Sequence, residues 1–142
     1  MLRHPFAHTS NRQMPGWLVI ALLVLPWVHP WAPGPQSNTV PLLIGWGSLA
    51  TLLAVKRLPS GLELAQAWTI AALIGSAMGL LQYFGEAAHL GGWVHVPAYL
   101  GDAVGNLRQR NQLATLTSLG TVAVLWWQRQ GLRSGQAAWM LA

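Results

Sequence analysis

The sequence predicts an all-α membrane protein, a polytopic bundle of about four transmembrane helices plus the start of a fifth. Of the 142 residues, 53% are hydrophobic and only 8% are charged, whereas soluble domains usually carry about 25% charged residues. Nine tryptophans suit the headgroup interface, where one edge of the indole ring stays in water. The eight basic residues lie in small groups between long apolar runs, a pattern typical of the loops of a membrane protein.

Five apolar segments follow a polar, basic tail at residues 1–16. Ser60 is expected to cap the third helix, because its hydroxyl can accept a backbone N–H and because Glu63 suits the positive end of the helix dipole. The interval at residues 85–111 holds glycines, a proline and charged side chains, which predict a loop outside the bilayer. The predicted spans are residues 17–31, 40–55, 64–84 and 112–127, and the fifth begins at residues 136–142.

The basic residues also indicate how the helices are oriented. If the N-terminus is cytoplasmic, alternation places Lys56, Arg57 and the arginines of residues 129–133 on the cytoplasmic side, as the positive-inside rule requires. The same alternation places residues 34–39 and 85–111 on the outer side.

Small side chains recur every four residues along the third segment. They put one small face on a helix, where a second helix backbone can approach closely. We interpret this face as a helix-packing surface with no chemical role. Its members are Ala67, Ala71, Gly75 and Gly79.

Several classes of function are disfavoured by the composition. The net charge of +5 does not indicate a nucleic-acid-binding protein, because the cations form no continuous basic face. The absence of cysteine excludes disulfides, thiolate metal sites and cysteine nucleophiles. Three acidic residues leave little for acid–base catalysis, and no catalytic residue is assigned. His89 and His95, near Glu86 and Asp102, match no helical metal-ligand spacing, so no metal site is predicted.

Two arginines depart from the positive-inside pattern. Arg108 and Arg110 lie in the predicted outer loop, next to the start of the fourth helix. Guanidinium groups match phosphate oxygens and a helix N-terminus favours anions, so the pair is a candidate anion site. The alternative is that both arginines only anchor lipid headgroups.

The segment Gly105-Asn-Leu-Arg-Gln-Arg-Asn-Gln-Leu-Ala-Thr-Leu116 resembles the Gly-Asn…Gln-x-Asn-x-Leu-Ala motif of the bacterial O-antigen ligase superfamily. The resemblance is greatest to the pilin-type protein O-oligosaccharyltransferases. Gly105 and Asn106 match the start of the motif. In that family the motif lies in an outward-facing loop before a membrane helix, and it follows a helix that ends like Leu80-Leu-Gln-Tyr-Phe-Gly85 here.

The resemblance implies an enzyme of the bacterial inner membrane. Family members transfer a glycan from undecaprenyl diphosphate, on the periplasmic side, to a protein hydroxyl or to a lipid A-core sugar. The implied partners are therefore membrane lipid, the lipid-linked donor and a pilin-like or lipid A-core acceptor. No metal or organic cofactor is expected in the transfer step. The residues expected near the donor diphosphate are Arg108, Gln109, Arg110 and Asn111.

The sequence departs from the family in length. Family members carry a large periplasmic loop with essential His and Arg residues downstream of the motif, whereas this chain stops within its fifth apolar segment. We therefore expect an N-terminal part that transfers no glycan alone. Two alternatives stay open: part of an O-antigen polymerase, or a small non-enzymatic membrane protein such as a transporter subunit or assembly factor. The absence of Asp, Glu and Lys within the central parts of the spans disfavours an ion pathway.

Overall fold

A computed structural model describes residues 14–29 and 39–141, and within these ranges the chain is all-helical, with no strand. The predicted all-α class is therefore confirmed for the described residues. The tail predicted at residues 1–16 falls mostly outside these ranges, as do residues 34–38 of the first outer loop. The helices are α1 (Gly16–Val28), α2 (Thr39–Ala54), α3 (Gly61–Tyr83), α4 (Arg110–Arg129) and α5 (Ser134–Leu141), with short 3₁₀ turns at Glu86–Leu90 and Gly105–Leu107.

Among the described helices, α3 is the one that is both long and apolar enough to cross a membrane. It has 23 residues, which exceeds the roughly 20 that a bilayer core requires. The helices α1 and α2 are apolar but have only 13 and 16 residues. The helix α4 has 20 residues, yet its glutamines, threonines, serine and arginines lower its hydropathy. The bundle of four spans therefore stays a prediction.

A capping box begins α3. Ser60 is the N-cap residue, and its hydroxyl accepts the backbone N–H of Glu63 at 3.2 Å. The Glu63 carboxylate in turn accepts the backbone N–H of Ser60 at 2.8 Å. Arg57 adds an ion pair to the same carboxylate at 2.6 Å. The predicted cap is thus confirmed, and these bonds fix the turn between α2 and α3.

The helix α3 is the centre of the bundle. It packs against α4 on one side and α1 on another, whereas α2 packs mainly against α1. Buried residues from α1, α3 and α4 meet in one core cluster, with Val24, Ala71 and Leu116 at its centre. Because α2 touches the bundle through α1, a space is left between α2 and α4.

The small face of α3 lies within this packing. Ala67 and Ala71 are almost fully buried, and Gly75 and Gly79 are buried too. A Cβ added at Gly75 would lie 3.2 Å from a leucine side chain of α4, and one added at Gly79 would lie 3.3 Å from another. Gly75 and Gly79 therefore stand where side chains of α4 pack closely against α3.

A third glycine, on α4, completes the contact between the two helices. A Cβ added at Gly120 would overlap the Cβ of Ala72 and would lie 3.4 Å from the carbonyl oxygen of Trp68. The sequence gives Gly120 no small-residue repeat of its own, and its role was not predicted.

Candidate functional site

The loop between α3 and α4 is held to the bundle by one buried glutamine. Gln82, on the last turn of α3, is 1% exposed. Its amide oxygen accepts the backbone N–H groups of Val104 at 2.8 Å and Gly105 at 2.7 Å. Its amide nitrogen donates to the carbonyl oxygens of His95 at 2.8 Å and Gly105 at 3.0 Å. All four hydrogen-bonding positions of the side chain are therefore used.

Asn106 holds the same loop from the other side. It is 6% exposed, and its amide oxygen accepts the backbone N–H of His95 at 2.9 Å. Its amide nitrogen donates to the carbonyl oxygens of Trp93 at 2.9 Å and of Val28, at the end of α1, at 3.2 Å. Gln82 and Asn106 together tie the loop to α3 and α1.

The backbone at Gly105 explains why the motif begins with glycine. Its φ is +58°, in the left-handed region, where a side chain is disfavoured. A Cβ there would also lie 3.5 Å from a Leu113 methyl group and 3.6 Å from the carbonyl oxygen of Gly75. Gly105 thus lets the loop approach the α3 backbone at Gly75 and the start of α4 at Leu113.

Arg108 has a left-handed backbone as well, with φ +59°. It follows the 3₁₀ turn Gly105–Leu107, and Gln109 after it is extended and forms the N-cap of α4. A non-glycine residue in this region costs roughly 1–2 kcal/mol, and the surrounding structure must hold it there. The bonds made by Gln82 and Asn106 provide that constraint.

A groove of about 1000 Å³ lies between α2 and α4, with α1 at its base. Its walls from α1 and α2 are apolar except for Ser48. Polar side chains line it near the start of α4: Asn106, Arg108, Gln109, Gln112 and Thr115. The apolar lining includes Leu22, Pro26 and Trp27 of α1 and Leu42, Trp46, Leu49 and Leu53 of α2. The groove therefore combines an apolar length with a polar, cationic end.

The four residues expected at the diphosphate are placed differently. Arg108 and Gln109 line the groove. Arg110 forms an ion pair with Asp102, and its side chain is 70% exposed. Asn111 is exposed on the first turn of α4, where its carbonyl oxygen accepts the hydroxyl of Thr115 at 2.8 Å. The structure thus brings Arg108 and Gln109 to the groove lining, with Arg110 turned to Asp102.

His95 is a partly buried residue of this loop, and the charge of Arg108 acts on its ring. Burial lowers the pKa of the imidazole, and the positive charge of Arg108 lowers it further. Both effects disfavour the protonated ring. The neutral imidazole is therefore favoured more at His95 than in an ordinary histidine.

The other titratable loop residues do not converge. His89 and Glu86 are 3.9 Å apart on the surface, while Asp102 is paired with Arg110. Within residues 14–29 and 39–141, no three His, Asp or Glu side chains are arranged to hold a metal ion.

Gln82 is the main site residue that the sequence did not identify. It belongs to the segment Leu80–Gly85, which resembles the family, but that resemblance assigns Gln82 no role. The available signal was an amide side chain at the end of an otherwise apolar helix, where burial requires hydrogen-bond partners.

Comparison with known families gives a match to part of the chain. Residues 103–127 match the family model described as protein glycosylation ligase. The matched stretch contains the Gly105–Leu116 segment and most of α4, and it confirms for that stretch the resemblance inferred from the sequence. No curated protein gives a significant match to the chain, and no solved structure does so. The chain is thus similar to protein glycosylation ligases over the segment that bears Arg108 and Gln109.

Proposed function

We propose that the chain carries the donor-binding part of a membrane glycan ligase. Such an enzyme transfers oligosaccharide from undecaprenyl diphosphate to a protein or lipid A-core acceptor on the periplasmic side of the bacterial inner membrane. The observation that carries this proposal is the two-part lining of the groove, whose cationic end belongs to the stretch similar to protein glycosylation ligases. A lipid diphosphate has the same two parts, an apolar tail and a charged head.

The apolar length of the groove suits the lipid tail. Its wall on α2 runs from Pro41 to Leu53, which at 1.5 Å per residue is about 18 Å along the helix. The groove is open between α2 and α4, so a tail can enter from the side without threading through the bundle. Burying the tail there removes apolar surface from water at about 25 cal/mol per Å².

The polar end suits the diphosphate. Arg108 offers a guanidinium group, whose planar donors match two phosphate oxygens. Gln109 adds an amide, and its side chain does not cap the first turn of α4. The backbone N–H groups of that turn favour an anion through the helix dipole.

In the same proposal, Arg110 supplies a second cation and Asn111 a second amide for the diphosphate. Arg110 is held by Asp102 in the unliganded chain. A bound diphosphate carries more negative charge than one carboxylate, so it can compete with Asp102 for the guanidinium. Replacing Asp102 by Asn is then expected to strengthen donor binding if Arg110 takes part, and to leave it unchanged if only Arg108 does.

We also propose that α1, α2 and α4 cross the membrane together with α3. The exposed leucines and tryptophan of α2 support this, since Leu42, Leu43 and Trp46 are each about 60% exposed or more. Contact of these apolar side chains with lipid is favourable, whereas their exposure to water costs free energy.

Binding of undecaprenyl diphosphate to the purified chain tests the proposed donor site. The 142-residue chain in nanodiscs should bind the lipid, and native mass spectrometry measures the bound fraction. Arg108→Lys keeps the charge but loses the forked geometry, so we expect affinity to fall by about 1–3 kcal/mol, the range of a charge-assisted hydrogen bond. Arg108→Ala should weaken binding further.

Arg129→Lys is the matched control, because Arg129 is exposed at the opposite end of α4. It should bind the lipid as the parent does. Equal binding by the parent, by Arg108→Ala and by the Arg108→Ala/Arg110→Ala double variant would exclude the arginines from donor recognition. It would leave headgroup anchoring as their role.

A further inference from the structure

An exposed aromatic surface lies where α3 ends and the loop begins. We call it the terminal aromatic surface and define it by Tyr83, Phe84, Tyr99 and Leu100. The rings of Tyr83 and Phe84 pack edge to face with centroids 5.3 Å apart. A Cβ added at Gly85 would lie 2.9 Å from the Leu100 side chain. The two parts of the surface are therefore neighbours, although 15 residues or more separate them in the chain.

These side chains are unusually exposed for their type. Tyr83 is 53% exposed, Phe84 68%, Tyr99 75% and Leu100 81%. An exposed apolar cluster of this kind in a soluble loop marks a contact surface. The sequence predicted that Tyr83 and Phe84 end the third span and that Tyr99 and Leu100 lie in the loop outside the bilayer, so the surface joins the two predicted regions.

Two buried amide side chains pair with backbone groups of the loop beneath this surface. Gln82 pairs with the backbone of Val104 and Gly105, and Asn106 pairs with that of Trp93 and His95. Non-helical backbone tolerates a poorly hydrated environment only when its N–H and C=O groups have partners in the protein. The loop therefore meets this requirement at the paired backbone groups of Trp93, His95, Val104 and Gly105.

The position and the residue types favour lipid over a protein partner. The surface begins at the last residue of α3, the helix long and apolar enough to cross a membrane. Tyrosine rings have an apolar body and a polar tip, which suits the boundary between acyl chains and headgroups. The nearest charges along the chain are Glu86 and the ion pair of Asp102 with Arg110, which match the charged headgroup layer.

We propose that the terminal aromatic surface inserts into the headgroup–acyl boundary of the membrane leaflet at this end of α3. The loop then lies flat on the membrane rather than extending into water. This inference rests on the membrane insertion within the proposed function and does not depend on glycan transfer. It also places Arg108 and the Arg110–Asp102 pair at the depth of lipid phosphates, where a lipid-linked diphosphate is presented.

Site-specific fluorescence in the cysteine-free chain tests the depth of this surface. Single cysteines at Leu100 and, as a second position, at Phe84 are labelled with the environment-sensitive dye NBD. The chain is reconstituted in vesicles of phosphatidylethanolamine and phosphatidylglycerol. Two quenchers are compared: iodide on both sides of the membrane, and lipids carrying a doxyl group either just below the headgroup or deep in the acyl chain.

Two further cysteines are controls. Ile70 lies near the middle of α3 and is 38% exposed, so a label there reports insertion through quenching by the deep doxyl lipid. Gln130 is exposed between Arg129 and Arg133, so a label there reports water through quenching by iodide.

The expected result is strong quenching by the shallow doxyl lipid at Leu100 and Phe84, with at least severalfold less quenching by iodide than at Gln130. Iodide quenching at both positions equal to that at Gln130 would overturn the proposal, since the surface would then lie in water. Protection from both quenchers would overturn it too and would indicate coverage by protein. If the label at Ile70 is not quenched by the deep doxyl lipid, membrane insertion fails and this inference fails with it.

Discussion

At the scale of single residues, Gln82 shows how one amide can organise a loop of more than twenty residues. Its partners lie 13 to 23 positions away in the chain, so no local pattern reveals them. An amide buried at the end of an apolar helix needs hydrogen-bond partners. The sequence alone predicts this need but does not identify the partners. Only the three-dimensional structure reveals that these partners are backbone groups of the loop that carries Arg108.

Replacing Gln82 should release the loop. Gln82→Leu keeps the bulk but leaves the N–H groups of Val104 and Gly105 and the carbonyl of His95 without their partner. Each buried group left unpaired costs about 1–3 kcal/mol, so we expect a lower unfolding temperature in detergent. Trypsin should also cleave faster after Arg108 and Arg110.

The control is Gln66→Leu, the same change at a half-buried position on the same helix. It should change the unfolding temperature and the cleavage rate much less than Gln82→Leu does. Equal behaviour of the two variants would show that the four bonds of Gln82 do not hold the loop.

His95 makes the stability of the loop depend on pH. Burial and the Arg108 charge lower the pKa of its imidazole below the ordinary 6.5. The unfolded chain therefore binds more protons than the folded chain as pH falls below about 6.5. Stability is fully present above this pH and is lost as pH falls toward the lowered pKa.

Loop protection against trypsin, corrected for the pH dependence of the protease on a peptide, measures this effect. His95→Gln cannot be protonated and should remove this part of the pH dependence, whereas His89→Gln at an exposed position should retain it. An unchanged pH profile in His95→Gln would contradict the assignment.

At the scale of elements, the sequence predicted the α3 side of the contact between α3 and α4 but not the α4 side. The four-residue repeat of Ala67, Ala71, Gly75 and Gly79 predicted a close-packing face on α3, and the structure buries all four. The complementary position on α4, Gly120, stands alone among larger residues and shows no periodicity. A repeat identifies a face, while a single glycine acquires its role only from the partner that approaches it.

A methyl group at Gly120 should separate the two helices. Gly120→Ala places a Cβ on that of Ala72, which cannot move without the α3 backbone, and overpacking of this kind costs typically 1–3 kcal/mol. Gly47→Ala on α2 meets nothing within 4 Å and should leave stability unchanged or slightly raised. Unfolding temperature and yield in detergent compare the two, and equal stability would contradict the close approach of α3 and α4.

The helices themselves were easier to predict than the connection between α3 and α4. Apolar runs bounded by prolines, glycines and basic residues indicated the five α-helices of the described residues, and Ser60 with Glu63 indicated how α3 starts. The loop was expected to be polar because its sequence holds two of the three acidic residues and two of the five histidines. Its packing depends on two amides and on left-handed backbone at Gly105 and Arg108, and charge counting does not reveal these.

At the scale of the whole molecule, the charged residues separate to the two ends of the bundle. A Cβ added at Gly61 would lie 3.3 Å from the Trp126 ring, so the start of α3 lies beside the last turns of α4. Among residues 14–29 and 39–141, four cations therefore share that end with one carboxylate, Glu63. At the opposite end, the two arginines are balanced by two carboxylates. The cation-rich end comprises Lys56, Arg57, Arg129 and Arg133, and the balanced end comprises Arg108, Arg110, Glu86 and Asp102.

This asymmetry predicts the orientation in the membrane. Lys and Arg near the ends of spans are retained in the cytoplasm, so the cation-rich end should face inward and the loop with Arg108 outward. Single cysteines at Ala98 and Gln130, both exposed and on opposite ends of the bundle, distinguish the two orientations in the cysteine-free chain. An impermeant maleimide should label Ala98→Cys in intact spheroplasts and Gln130→Cys only after permeabilisation. The reverse pattern would place Arg108 in the cytoplasm, on the side opposite to the proposed donor. Labelling of both in intact spheroplasts would show that the cation-rich end is not held inside, and the four-span arrangement would then be wrong.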